Sequence, residues 1–160
     1  MSKIIRTAQP KDIAIIAANN IAMALETENK TLDKNIITPG VTAIINDRNK
    51  GIYWVMEING ELAGQLMITY EWSDWRNGTM WWIQSVFVSE KFRRQGVYSM
   101  LYENLVKLAD DDNNCCGIRL YVEKQNNRAI ETYSKLGMLN AGYEIMEYNK
   151  KSSEVIPPPS

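Results

Sequence analysis

The stretch from Val86 to Ser99 constrains the fold more than any other part of the chain. An apolar run is followed by a basic turn that ends in Gly96, and apolar residues at helical spacing come next. A strand that leads through such a turn into a helix points the unpaired N–H groups of the first helical turn at the loop, where they attract anions. Lys91, Arg93 and Arg94 add positive charge, and glycine lets an oxyanion approach the backbone. The stretch therefore has the chemistry of a phosphate or pyrophosphate site.

Two familiar phosphate motifs do not account for this stretch. Neither G-x-G-x-x-G nor G-x-x-x-x-G-K-[ST] occurs in the sequence, which excludes the dinucleotide fingerprint and the P-loop. Basic residues before a helix are also common on ordinary solvated surfaces. The stretch taken alone favours neither the anion site nor the ordinary surface.

Length and charge limit the other classes of function. The 160 residues predict a single domain over residues 1–149, followed by a proline-rich tail over residues 150–160. Lys plus Arg is 18 and Asp plus Glu is 19, so a net charge of −1 argues against a broad surface for nucleic acid or for an anionic membrane. Because no apolar run approaches the ~20 residues of a membrane span and the N-terminus lacks a signal-peptide core, we expect a cytoplasmic protein.

The absence of histidine excludes several chemistries together. Without it there is no Ser-His-Asp or Cys-His nucleophile and no histidine-based metal site, and we expect no metal. Cys115 and Cys116 are neighbours that do not readily form a disulfide with each other, and we interpret them as small residues entering a buried strand. The chemistry must therefore use carboxylates, Tyr, Lys, hydroxyls or backbone groups.

Hydrophobic periodicity predicts a mixed α/β (α+β) fold. The sheet is mostly antiparallel, because Asn59-Gly60 indicates a hairpin, and a helix between two later strands makes that pair parallel, with helices on both faces. Strands are expected over residues 3–7, 52–58, 62–70, 80–88, 117–122 and 138–148. Helices are expected from Pro10 to Leu25, from Thr38-Pro39 to Ile45, from Gly96 to about Ala109 and over residues 129–136, with Gly137 after the last.

Two motifs make the chain similar to the GNAT N-acetyltransferases. Arg93, Gly96 and Tyr98 match the acetyl-CoA motif [RQ]-x-x-G-x-[GA], with Tyr98 at the usually small position. A second match follows about 30 residues later, to the stretch N-x-x-A-x-x-x-Y-x-K-x-G-F, with Met138 in place of Phe. Its matching residues are Asn126, Ala129, Tyr133, Lys135, Gly137 and Met138. The resemblance covers residues 3–148 and implies the GNAT fold.

The resemblance implies an acetyl transfer from acetyl-CoA to a primary amine, by direct attack and without an acyl-enzyme. A backbone N–H near Val88 would stabilise the oxyanion. The residues it assigns to coenzyme binding are Val86, Phe87, Val88, Arg93, Arg94, Gln95, Gly96, Val97, Tyr98, Ser99, Asn126 and Tyr133.

Candidates for the proton-transfer groups are one tyrosine and several carboxylates. Tyr133 matches the family's general acid for the leaving thiolate, although its place on an apolar stripe also fits a core residue. The strand over residues 80–88 carries no carboxylate, so the base is assigned to Glu71 or Asp74, with Glu26 as another candidate. Each could equally be an ordinary solvated acid, and a water relay from Gln84 or Ser85 is a further alternative.

The acceptor is expected to be a small-molecule amine. A lysine or N-terminus of a protein or peptide is the alternative, and a module that binds acyl-CoA without turnover is a third possibility. Four tryptophans of one hairpin, Trp72, Trp75, Trp81 and Trp82, could line an acceptor pocket or pack on the sheet. We expect Trp81 or Trp82 in the core and Trp72 or Trp75 near the acceptor. A homodimer is possible.

Overall fold

The computed structural model describes residues 1–151, which divide into a first compact unit, Met1–Leu120, and a second that begins at Tyr121. The strands, all in the first unit, are β1 (Lys3–Thr7), β2 (Ile52–Ile58), β3 (Glu61–Ser73), β4 (Gly78–Val88) and β5 (Cys115–Leu120). The helices are α1 (Ile13–Glu28), α2 (Lys34–Asn46) and α3 (Val97–Asp111) in the first unit and α4 (Asn127–Lys135) in the second. No helix within residues 1–151 is long and apolar enough to cross a membrane.

The five strands form one mixed sheet in the order β1-β2-β3-β4-β5, which confirms the predicted fold class. Neighbours are antiparallel except β4 and β5, which run parallel because α3 makes the crossover between them. The hairpin between β2 and β3 turns at Asn59 (φ 52°) and Gly60 (φ 81°). Two successive left-handed residues match the twist of the flanking strands, which is why this dipeptide predicts the turn so well.

Helices pack on both faces of the sheet, as predicted. On one face, Ile16 of α1 and Val55 of β2 belong to the same buried apolar cluster. On the other face, α3 lies so close to Gly64 of β3 that a Cβ added there would stand 2.6 Å from Val97 Cγ1. Gln65, the next residue of β3, hydrogen-bonds α1 instead. Gly64 therefore sets how closely the first turn of α3 approaches the sheet.

Replacing Gly64 with alanine is expected to lower the free energy of unfolding by about 1–3 kcal/mol, the usual cost of overpacking. The new methyl group would meet Val97 Cγ1 at 2.6 Å and the Phe87 carbonyl oxygen at 3.3 Å. Gly40→Ala is the matched control, because a Cβ at this helical position meets no atom within 4 Å. Alanine within a helix should stabilise rather than destabilise the protein. Urea unfolding measures both, and equal stability of Gly64→Ala and the wild type would contradict this account.

The start of α2 corrects one prediction. The helix begins at Lys34 rather than at Thr38-Pro39, because the Asp33 side chain accepts a hydrogen bond from the Asn35 N–H (2.8 Å) and caps it. Pro39 lies inside the helix, so its preference for the first turn was a misleading signal here. α3 likewise continues to Asp111, two residues beyond the predicted end at Ala109.

The strand predicted over residues 138–148 was wrong. None of residues 138–150 lies in a helix or strand. The apolar run is interrupted at Gly142, which has a φ of 79° and whose N–H donates to Asn140 Oδ1 at 2.7 Å. Such a local turn replaces the extended backbone that a strand requires. That the two units form one domain stays a prediction, and residues 152–160 of the predicted tail lie outside the described residues.

The two cysteines at the start of β5 are free and half-buried. Burial raises the pKa of the Cys115 thiol, which favours the neutral form. Their positions fit the structural interpretation. Within the part of the chain that the structure describes, no group of three or more metal-ligating side chains is placed to hold a metal ion.

Candidate functional site

The end of β4 projects beyond its parallel neighbour. The last paired residues are Ile83 of β4 and Leu120 of β5, whereas β4 continues to Val88. The sequence predicted β5 as far as Val122, and its earlier end leaves the edge of residues 84–88 without β5 as a partner. We call this segment the β4 edge. An unpaired strand edge can hydrogen-bond an extended ligand as an added strand would.

A β-bulge at Ser85 lies at the start of the β4 edge. Gln65 of β3 pairs with Phe87 but Met67 pairs with Gln84, so β4 holds one more residue than β3 between these pairs. Ser85 has a φ of 52°, in the left-handed region. A bulge bends its strand and increases the local twist. It therefore sets the direction in which the β4 edge leaves the sheet.

The N–H of Val88 faces away from β3. The Ser89 N–H donates to the Ala63 carbonyl of β3 at 2.9 Å, and successive N–H groups of a strand alternate in direction. The Val88 N–H therefore points to the side on which β5 has ended. The Val88 carbonyl is held by Arg93, whose Nε donates to it at 2.9 Å. The predicted oxyanion donor thus lies on the edge that β5 leaves unpaired.

The turn between β4 and α3, residues 89–96, presents backbone donors to an anion. Arg94 (φ 63°) and Gly96 (φ 75°) are both left-handed, and the Met100 N–H makes a bond of 3.0 Å to the Gly96 carbonyl. The N–H groups of residues 97–99 precede that bond and have no acceptor in α3. A Cβ at Gly96 would meet no atom within 4 Å, so glycine is required by its conformation and not by packing. This donor set fits phosphate oxygens.

Two of the three basic side chains of the turn form ion pairs with glutamates. Lys91 Nζ pairs with Glu61 at 3.0 Å, and Arg93 pairs with Glu26 at 2.9 Å. Arg94 is exposed and forms no ion pair within the first unit as described. Arg94 is therefore the side chain best able to add charge at a bound phosphate, whereas Arg93 ties the turn to the end of α1.

The remaining predicted coenzyme residues of the first unit lie in or next to the turn. Gln95 is exposed, and its Nε2 donates to the Lys91 carbonyl at 3.3 Å. Val97, the first residue of α3, is buried. Tyr98, at the usually small position, packs along the helix with its ring 6.1 Å from that of Tyr102. Ser99 is half-buried in the same turn.

The other two predicted coenzyme residues lie in the second unit, Asn126 at the N-cap of α4 and Tyr133 within that helix. The Asn126 Oδ1 accepts from the Ala129 N–H at 3.1 Å and caps the helix. Tyr133 is half-buried, and this burial raises the pKa of its phenol, which therefore stays protonated at neutral pH. The helix ends at Lys135, and Gly137 follows it in the predicted left-handed conformation (φ 93°), while the Met138 N–H donates to the Tyr133 carbonyl at 3.0 Å.

The predicted bases lie toward the other end of the hairpin. Glu71 pairs in register with Met80, and its carboxylate is 3.7 Å from Arg119. Asp74 is exposed in the turn beyond it. At about 3.3 Å per residue, Glu71 lies about 13 Å along the strands from the level of Gln84. Glu26 lies instead beside Arg93, at the end of the β4 edge.

The tryptophans of this hairpin divide as expected between core and surface. Trp81 is 8% exposed and belongs to the core, whereas Trp72 and Trp75 are 62% and 91% exposed. Trp82 is half-buried. A role for the exposed pair near an acceptor stays a prediction.

A buried polar network beneath the bulge was missed by the sequence analysis. Gln65 is 1% exposed and Asn20 is 2% exposed, and the Gln65 Nε2 donates to Asn20 Oδ1 at 3.0 Å and to the Ser85 carbonyl at 3.2 Å. Two features of the sequence could have indicated it. Gln65 stands alone in the apolar run Leu62–Ile68, and Asn19 and Asn20 are adjacent polar residues within the apolar sequence of α1. Such positions predict partnered buried groups.

This chain is similar to known acetyltransferases in sequence and in fold. A model of the acetyltransferase (GNAT) family matches residues 20–138. A possible acetyltransferase from Clostridium difficile 630 has a TM-score of 0.89 and 43% identity, covering 94% of this chain and 99% of that one. A predicted acetyltransferase from Clostridium acetobutylicum, crystallised with acetyl-CoA, has a TM-score of 0.72 at 19% identity, covering 92% and 96%, a likeness of fold.

A curated relative is similar over a shorter region. The probable N-acetyltransferase san of Drosophila melanogaster is 33% identical over 67 residues, which is 42% of this chain. The match spans 34%, about a third, of the length of that relative.

Proposed function

Because the chain belongs to the acetyltransferase (GNAT) family, we propose that it transfers an acetyl group from acetyl-CoA to a primary amine, by direct attack of the amine on the thioester. One observation carries the proposal. The N–H groups of Val88, on the β4 edge, and of residues 97–99, in the first turn of α3, form a series of backbone donors with no acceptor in β5 or α3. Members of the family use acetyl-CoA, and this series suits an extended amide chain that ends in a pyrophosphate.

The residues that would hold the coenzyme follow from these donors. The N–H groups of residues 97–99 and the backbone of Gly96 would bind the pyrophosphate, with Arg94 adding charge. The β4 edge would hydrogen-bond the pantetheine amides. Asn126 caps α4 through Oδ1, so its side-chain NH₂ would donate to the coenzyme arm.

The transfer itself needs an oxyanion donor and two proton transfers. The C–N bond forms as the thioester C–S bond breaks, a base takes the amine proton, and the leaving thiolate takes one. The Val88 N–H would stabilise the oxyanion, a role worth several kcal/mol where water is excluded. Tyr133 would give its proton to the thiolate, since its raised pKa keeps it protonated.

Position separates the candidate bases. An alkylammonium with a pKa of ~10 must lose its proton before it attacks. Glu26 lies at the end of the β4 edge, and Glu71 and Asp74 lie toward the far end of the hairpin. We therefore rank Glu26, acting through a water, before the other two. The proposed acceptor is a small-molecule amine.

A thiol-release assay tests the function and the acceptor class together. Purified protein is incubated with acetyl-CoA and separately with polyamines, aminoglycosides, amino sugars, lysine peptides and free N-terminal peptides. Turnover with a small amine is the expected result. Turnover only with peptides would overturn the acceptor class. Saturable coenzyme binding without turnover across the panel would favour a binding module over an enzyme.

A further inference from the structure

The bulge at Ser85 lies against a buried network of side chains from β2, β3 and α1. Gln65 of β3 donates to the Ser85 carbonyl at 3.2 Å. The Tyr53 hydroxyl of β2 accepts from the Asn20 Nδ2 of α1 at 3.0 Å and lies next to the Ser85 side chain. The main chain of Ser85 is therefore held by a buried amide, and its side chain lies against a buried hydroxyl.

Every hydrogen-bonding group of the Gln65 amide is used. Its Nε2 donates to Asn20 Oδ1 and to the Ser85 carbonyl, and its Oε1 accepts from Asn19 Nδ2 at 3.0 Å. Gln65 is 1% exposed, so water does not replace these partners. A glutamine amide offers two donors and an acceptor, and this combination is what the site requires.

Ser85 needs such support because of its backbone. A non-glycine residue with a φ of 52° is strained and persists where its surroundings fix it. A relaxed Ser85 would change the direction of the β4 edge that follows it. The Val88 N–H would then no longer point where the bulge directs it.

We propose that Gln65 and Tyr53 are positioning residues, which hold the bulge at Ser85 and so aim the backbone N–H of Val88 at the reacting carbonyl. The inference rests on the proposed function. Neither side chain needs to touch a substrate, because each acts on the backbone through Ser85. The pyrophosphate would be held by the turn and α3, which lie outside the bulge, so the proposal predicts a larger effect on the rate of transfer than on the affinity for acetyl-CoA.

Two conservative substitutions test the proposal in the full chain. Gln65→Met keeps the side-chain length and removes the amide, and Tyr53→Phe removes one hydroxyl. We expect kcat to fall about tenfold or more in each, since a small misplacement of reacting groups is costly, while the KM for acetyl-CoA stays within about twofold. Asp12→Asn is the matched control. Asp12 is 3% exposed and paired with Arg6 at 2.7 Å, away from β4. That variant should lose stability and keep kcat.

A second measurement does not depend on turnover. Backbone ¹H–¹⁵N signals of residues 85–88 should shift in Gln65→Met and Tyr53→Phe and stay in place in Asp12→Asn. Unchanged signals, or a wild-type kcat in both variants, would overturn the proposal, as would a raised KM with an unchanged kcat. A wild type that binds acetyl-CoA with no turnover would refute the proposed function, and the signals would still decide whether the two side chains hold the bulge.

Discussion

Replacing Tyr133 with phenylalanine is expected to lower kcat by about 10²- to 10⁴-fold, the usual contribution of a positioned general acid. Phenylalanine keeps the ring on α4 and removes only the proton donor. Burial raises the pKa of the Tyr133 phenol, so the donating form persists through neutral pH and is lost only as the pH rises above the ordinary value of ~10. Steady-state thiol release between pH 6 and 10.5 measures the effect.

Tyr148→Phe serves as the control for Tyr133→Phe. Tyr148 is 88% exposed in the same unit, and Tyr148→Phe should leave kcat unchanged. The Kd of Tyr133→Phe for acetyl-CoA should stay close to that of the wild type, because a phenol hydroxyl that acts on the leaving group contributes little to binding. A kcat within twofold of the wild type, at every pH tested, would return Tyr133 to the role of a core residue.

Replacing Gly96 with valine is expected to weaken acetyl-CoA binding by about tenfold to a hundredfold. A left-handed conformation costs a non-glycine residue about 1–2 kcal/mol, more when it is β-branched, and each ~1.4 kcal/mol corresponds to tenfold in Kd. With its φ of 75° lost, the turn would no longer present the N–H groups of residues 97–99 together. Isothermal titration calorimetry with acetyl-CoA measures the change.

Gly60→Val is the control variant, because it introduces the same backbone strain as Gly96→Val at a position outside the proposed pyrophosphate site. Gly60 has a φ of 81° and, like Gly96, has room for a Cβ, but it lies in the hairpin between β2 and β3. The control variant should lose similar stability and keep the wild-type Kd. Equal Kd values for wild type, Gly60→Val and Gly96→Val would contradict the assignment of the turn as the pyrophosphate site.

Elements with local signals could be predicted from the sequence. β2 was predicted with its observed bounds, and the Asn59-Gly60 turn and the start of α3 at Gly96 were each determined by a few adjacent residues. The segment over residues 138–148 has a strand-like pattern but was interrupted by a turn at Gly142. A strand also requires a partner, which is a property of the whole sheet and not of its own residues.

The candidate site also has a part that the sequence could predict and a part that it could not. The motif over residues 93–99 is local, so its residues could be assigned before their geometry was known. The bulge at Ser85 could not, because a bulge exists only relative to the register of β3. Asn20, Tyr53 and Gln65 are far apart in the sequence and meet only after the sheet and α1 have packed.

The most direct test of the central claim is a calorimetric titration of the full chain with acetyl-CoA, with a thermal melt of the same sample. We expect saturable binding of one coenzyme per chain and a rise in Tm with coenzyme concentration, because a ligand that binds only the folded state stabilises it. No heat of binding and no change in Tm at millimolar acetyl-CoA would contradict the claim that this chain uses the coenzyme.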